Sequence, residues 1–389
     1  MAPFEESQAL PSYRMPDQAD VAAVEALRGL AALMVLVSHY VVFVREGAGP
    51  WGLAATGVDL FFVLSGFVFA RALGQGHLAW LPHLLRRFFR LYPLYLLALL
   101  LYAVLRPEEG RWSAWWSHVF MLHTTGDLAL ATAYNVAFWS LPPEVEFYLV
   151  LPLLVALLGA ASQRTATGLW WLLGAALAVK LALVSMAQPG EVPDTLRGVL
   201  TVHLPGLLVE FLLGSAAAVA TGHVQSPHLG TPWPQRARTI ASGAGLGLMV
   251  LLWWVYRSEL ATPQAAAQAS LWLTGNFGLL MALAFALLLL SLNPVRPSAA
   301  DRRTAASSRE YAGWTTAALW AGRLSYGLYL FHNAAPILAR RWWPELSGWP
   351  LVMTSLVLTL ITAWALHLAV EAPCRRLGRS LASALQRRA

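Results

Sequence analysis

The chain has 389 residues, of which 58% are hydrophobic and 12% charged. A soluble domain carries about 25% charged residues, so this composition excludes an ordinary soluble domain and points to lipid as the main solvent. The net charge of +7 is explained by arginines that flank apolar spans, so no nucleic-acid partner is expected, and the single cysteine, Cys374, excludes an intrachain disulfide.

In chain order, residues 1–21 are polar and mixed in charge. They lack the basic start and short apolar core of a cleaved signal peptide and read as a cytoplasmic tail. Spans of roughly 20 mostly apolar residues follow. They are expected at 22–44, 53–70, 91–105, 144–161, 169–187, 204–221, 239–256, 270–292, 319–338 and 350–370. The runs are continuous and do not alternate, which argues against a β-barrel. Eighteen tryptophans suit the two membrane–water interfaces. The longest connection, 106–143, contains WSAWWSHVF, for which re-entrant and interfacial placements both stay open. No internal repeat or second domain is visible. Residues 22–370 read as one membrane domain and 371–389 as a basic cytoplasmic tail. The expected fold is an all-α polytopic membrane protein, a bundle of about ten transmembrane helices. Arginines such as Arg71, Arg86, Arg87, Arg90, Arg302, Arg303, Arg375 and Arg376 gather in connections on one side, which puts both termini in the cytoplasm.

The first span, ALRGLAALMVLVSHY, keeps an arginine and a histidine inside an apolar run. Arg28 and His39 are eleven positions apart, roughly 20° past three full helical turns, so both leave one face about 16 Å apart along the axis. Alternating span direction puts Asp59, Glu144, Glu146 and His332 toward the outer half, near the level of His39. Arg28, Arg71, Arg86, Arg87, Arg90 and Arg323 fall in the inner half. An unpaired charge in lipid costs at least a few kcal/mol, so these groups should line a protein-walled cavity. Guanidinium clusters bind phosphates, and a histidine supported by a carboxylate suits general-base work. The arrangement suits a phosphate-bearing donor from the cytoplasm and a hydroxyl acceptor on the far side.

An ordered set of motifs carries a family resemblance. LRGLAALMVLVSHY is followed by GVDLFFVLSGF, RRFFRLYPLY, WSLPPEVEFYLVLPLL, LPGLLVEFLLG, LSYGLYLFHN and VEAPCRR. In this order the chain resembles the acyltransferase-3 family of integral membrane acyltransferases. The resemblance implies a ten-helix bundle in the bacterial cytoplasmic (inner) membrane. It implies acetyl-coenzyme A, or another acyl-coenzyme A, as donor, and a hydroxyl of a surface carbohydrate or its lipid-linked precursor as acceptor. By motif position His39 is the essential histidine and Arg28 its partner. Arg87 and Arg90, with Arg86 beside them, are placed to contact coenzyme A phosphates. Glu144 occupies the glutamate of the WSL-x-x-E motif, and Trp139 of that motif and His332 are assigned to the acceptor. Asp59 is expected either to orient His39 or to bind the acceptor.

Pro142 and Pro143 depart from the small or aliphatic residues commoner in that motif, and are read as setting the helix start at Glu144. A proline-containing stretch usual after the late histidine is replaced by asparagine and alanines, with Pro336 nearby. No segment matches the added extracytoplasmic domain of some relatives, so a single-domain member is expected. Two mechanisms stay open: His39 as base for direct transfer, or as an acylated intermediate. Arg28 either binds a donor phosphate or polarises the thioester carbonyl, and its structural alternative is an ion pair with Glu25. A small-molecule acceptor such as a macrolide is a second reading, and a transporter or flippase a third, disfavoured by the lack of repeated halves. The histidines show no metal-ligand spacing, no metal is expected, and oligomeric state is not legible.

Overall fold

The computed structural model describes residues 18–45, 49–106, 112–126, 130–160, 165–188, 195–224, 231–292 and 309–387. Most of the 1–21 tail, and Arg302 and Arg303, lie outside the described residues. Among those described there is no strand. The helices are α1 (Gln18–Tyr40), α2 (Gly57–Gln75), α3 (Trp80–Leu105), α4 (Trp112–Val119), α5 (Leu141–Ala160), α6 (Thr165–Ser185), α7 (Leu196–Val202) and α8 (Leu204–Thr221). They continue as α9 (Gln235–Glu259), α10 (Pro263–Gln268), α11 (Leu271–Leu289), α12 (Arg309–Phe331), α13 (Ala334–Trp342), α14 (Gly348–Leu366) and α15 (Ala372–Gln386).

Among the described residues nine helical segments are long and apolar enough to cross a membrane. Their outward faces stay apolar. Leu30, Leu33 and Val37 of α1 and Leu149, Leu153 and Leu157 of α5 are exposed at helical spacing, as lipid-facing residues are. The expected span 319–338 is not among the nine. It is split: α12 ends at Phe331, and α13 starts at Ala334 after His332 and Asn333. Arg323, Ser325 and the tyrosines of α12 lower its hydropathy, yet it packs along α1, where Gly29 abuts Ala321 and Gly322 abuts Glu25.

Two further boundaries differ from the sequence reading. The third helix begins at Trp80 rather than 91, so Arg86, Arg87 and Arg90 are helical residues within it. The apolar spacing of Trp80, Leu84, Leu85 and Phe88 carries the helix through them. The last span continues through a π-turn, His367–Glu371, into α15. That helix packs on the start of α3, with Gly378 against Phe89, and Arg375 ties back to Glu371 at 3.3 Å.

The connection containing WSAWWSHVF inserts into the bundle. Tyr92 of α3 donates to the Val119 carbonyl at 2.5 Å and Tyr95 to the His118 carbonyl at 2.7 Å. The segment therefore lies beside the middle of α3, and His118, His123, Asn135 and Phe138 are buried. Its irregular backbone is tolerated at depth because protein surrounds it.

The tightest crossing is α2 on α8. A β-carbon on Gly66 would lie 1.7 Å from the Phe211 carbonyl oxygen, and one on Gly214 would lie 1.8 Å from that of Val63. Small residues let membrane helices approach this closely, and Ser215 Oγ donates to the Gly66 carbonyl across the gap at 2.9 Å.

Candidate active site

The site follows the axis of the bundle. At the end carrying the starts of α1 and α3 and the helix α15, Arg28, Arg87 and Arg90 converge. Arg28 is 8% exposed. Its guanidinium lies 3.9 Å from Glu25, the ion pair considered from sequence, and the charges of Arg90 and Glu144 also act on it. Arg87 lies over the rings of Phe69 and Tyr148, 4.7 and 5.6 Å from their centroids. Arg86 is half-buried on the same turn. The Nε atoms of Arg28 and Arg87 are buried without a hydrogen-bond partner among the described residues. Buried donors are usually satisfied, so these guanidinium groups have capacity for an anionic ligand.

A narrow cavity runs from this cluster toward the opposite end. Arg28, Arg90 and Glu144 line one part of it, and Ser140 and Tyr329 another. Val58, Phe61, Phe62 and Ser65 of α2 form a wall, their spacing of three and four residues putting them on one helical face. Glu144 accepts a hydrogen bond from Tyr148 one turn on. It therefore sits with the arginines and not beside His39. Depth counted from the chain's turns misplaces it, because the inserted connection lets α5 begin well inside the bundle. Ser140 and Tyr329 are hydrogen-bonded at 2.5 Å, and Tyr329 donates to the Ala137 carbonyl at 2.6 Å.

Beyond Tyr329 stand two histidines. His39 and His332 have ring centroids 4.9 Å apart. His39 Nδ1 is 2.8 Å from the Val35 carbonyl oxygen and 3.3 Å from His332 Nε2. His332 Nδ1 is 2.8 Å from the Tyr329 carbonyl oxygen. A carbonyl only accepts, so each Nδ1 carries the proton in the neutral rings and each Nε2 keeps its lone pair. His39 Nδ1–H then points between Val35 O and His332 Nε2, while His39 Nε2 is left to accept a proton. Tyr40 locks the break after α12, donating to the His332 carbonyl at 2.7 Å and meeting Thr359 Oγ1 at 2.9 Å.

Past the histidines a second cavity, about 660 Å³, opens at the opposite end. Phe43, one turn after His39, and Asn333, next to His332, are in its wall with Arg106, Asn135 and Arg340.

Asp59 is not in this axis. It lies on the α2 face shared with Val63 and Gly66, which meets α8. There its carboxyl faces that of Glu210, with the Lys180 charge acting on both. Glu210 and Lys180 are 1% and 5% exposed, and Asp59 also fills the space over Gly278. The side chain that meets the His39 ring is that of His332, not Asp59. Trp139 is partly buried against the core and lines neither cavity. Glu146 bonds His203 and the Leu204 backbone N–H instead of the site. Sequence reasoning missed Glu210, Lys180 and the Ser140–Tyr329 pair. A charged residue inside an apolar run, as in LPGLLVEFLLG, was the available signal for the first. Among the described residues no cluster of histidine, cysteine or carboxylate side chains is placed to hold a metal ion.

The sequence profile of the acyltransferase-3 family, described as an acyltransferase domain, matches residues 21–368. A curated protein, "Protein 2 in picA locus" of Rhizobium radiobacter, is 44% identical over 84 residues. That alignment spans 21% of this chain and 42% of the relative. No solved structure matches significantly. The match over nearly the whole chain shows that this protein belongs to the acyltransferase-3 family, and its long apolar helices mark it as an integral membrane protein.

Proposed function

We propose that this protein moves an acyl group, acetyl in the simplest case, from cytoplasmic acyl-coenzyme A to a hydroxyl of a carbohydrate, or its lipid-linked precursor, on the far side of the bacterial inner membrane. Both termini then lie in the cytoplasm. The observation that carries the reading is the His39–His332 pair, set between an arginine-lined cavity and a second cavity at the opposite end.

Arg87, Arg90 and Arg28, with Arg86 at the entrance, hold the phosphates of the carrier, and the thioester arm follows the narrow cavity toward Ser140 and Tyr329. The acceptor hydroxyl approaches His39 Nε2 from the second cavity. Nε2 takes its proton as the oxygen attacks the thioester carbonyl carbon. The carbon–sulfur bond then breaks, and the proton returns to the departing thiolate. His332 Nε2 accepts a hydrogen bond from His39 Nδ1–H throughout and stabilises the imidazolium. A base so positioned contributes about 10²–10⁴ in rate. Arg28 is a phosphate ligand in this scheme, since its position beside Glu144 and Arg90 is about 16 Å of helix from His39. Acylation of Nε2 followed by transfer to the hydroxyl is the alternative route through the same two cavities.

Mass spectrometry of surface glycans from cells with and without the gene tests the reading. A loss of ester-linked acyl groups that the wild-type gene restores and His39→Ala does not is expected. Unchanged acylation would overturn it.

A further inference from the structure

The second cavity has a composition that the proposed reaction does not require. Transfer to a neutral sugar needs hydroxyl-bonding groups and apolar walls. Besides such groups this cavity presents two cations, Arg106 from the end of α3 and Arg340 from α13, and no acidic residue among the described residues that line it. Neither guanidinium has a carboxylate partner among the described residues. Arg340 lies over the ring of Phe43 at 5.1 Å from its centroid, which fixes it against the wall, and Arg106 is half-buried. Asn135 is consumed structurally. Its Oδ1 accepts from Ala137 N at 3.0 Å and Asn333 Nδ2 at 2.8 Å, and its Nδ2 donates to the Leu330 carbonyl at 3.2 Å. This holds Asn333 at the inner edge of the cavity, next to His332, while the arginines stand as the charged groups of its wall. The volume of about 660 Å³ is within the ~300–1,000 Å³ range of ligand sites.

We propose that the acceptor carries an oxyanion, carboxylate or phosphate, and that Arg106 and Arg340 recognise it while a hydroxyl of the same molecule faces His39. The inference rests on the acceptor entering this cavity. Guanidinium forks pair with either oxyanion, so a uronic-acid residue of a glycan and a phosphate-linked sugar share the required chemistry. Two arginines near a membrane surface also serve as simple anchors, and the test separates that case.

The purified full-length protein in nanodiscs of uncharged lipid is titrated with oligogalacturonate and with its neutral methyl ester. A second pair of probes is glucose 1-phosphate and glucose. Binding is read calorimetrically without donor, so the result is independent of whether acyl transfer occurs. The charged member of at least one pair should bind at least about tenfold more tightly than its neutral partner. Arg106→Gln and Arg340→Gln should each remove most of that difference. Arg341→Gln, an exposed neighbour that does not line the cavity, should not. Preference for oligogalacturonate assigns a carboxylated glycan, and preference for glucose 1-phosphate a phosphate-linked one. Equal binding of charged and neutral probes, no binding of either charged probe at millimolar concentration, or an unchanged preference in both variants overturns the proposal. Acetyl-coenzyme A turnover, measured on the same samples, reports separately on the acyltransferase reading. It should be unchanged in Arg341→Gln.

Discussion

Gly66→Ala probes the helix crossing that holds the wall of the narrow cavity. The added β-carbon would lie 1.7 Å from the Phe211 carbonyl oxygen, whereas real β-carbon contacts are essentially never under 3.0 Å. The obstacle is backbone, so α2 and α8 must part by more than 1 Å. That separation lengthens the 2.9 Å bond from Ser215 and disturbs the Asp59–Glu210 contact on the same face. Overpacking of this kind costs about 1–3 kcal/mol. Gly243→Ala on α9 is the matched control, because nothing lies within 4 Å of its β-carbon and alanine is the better helix former. Thermal unfolding in detergent, followed by tryptophan fluorescence, should show a midpoint several degrees lower for Gly66→Ala and equal or higher for Gly243→Ala. Equal midpoints for the two variants would refute the close crossing.

Three further outcomes follow. His332→Gln should lower kcat for acyl transfer by roughly 10- to 100-fold, in line with loss of a group that orients a catalytic residue, while the KM for acetyl-coenzyme A stays within about twofold; steady-state kinetics on reconstituted protein checks it. Arg87→Ala and Arg90→Ala should each weaken donor binding about tenfold or more, with the loss reduced when a donor lacking the 3′-phosphate replaces acetyl-coenzyme A if that phosphate is the one held. Lys180→Met removes the cation beside Asp59 and Glu210 and should cost about 3 kcal/mol of stability, yet leave the turnover of folded protein unchanged, as thermal midpoint and kcat measured together would show.

Much of the site could be read from residues alone, because its main parts lie on one helix or in one short motif. Arg28 and His39 share the inner face of α1 by helical arithmetic, and the Arg86–Arg90 cluster and His332 stand out as polar groups in apolar runs. What escaped was the partnering and the depth. Asp59 finds Glu210 and Lys180 on α8 and α6, and no local spacing links residues so far apart. Glu144 sits deeper than chain order implies because residues 112–126 and 130–140 fold inward as the short helix α4 and tight 3-10 turns, each too short to read as a span. The break between α12 and α13 was missed for a related reason. His332 and Asn333 carry no strong stop signal, and the break is held by tertiary bonds from Tyr40, Tyr102 and Asn135 to the backbone around it.

The central claim is that His39 passes an acyl group between donor and acceptor across the bundle. Inside-out membrane vesicles containing the protein, supplied with acetyl-coenzyme A labelled in the acetyl group, test it most directly. Label should enter an acceptor in the vesicle lumen with the wild-type protein and fall at least about 100-fold with His39→Ala at equal protein abundance. Undiminished labelling by His39→Ala, or solute uptake by the wild-type protein with no label transferred, would contradict it.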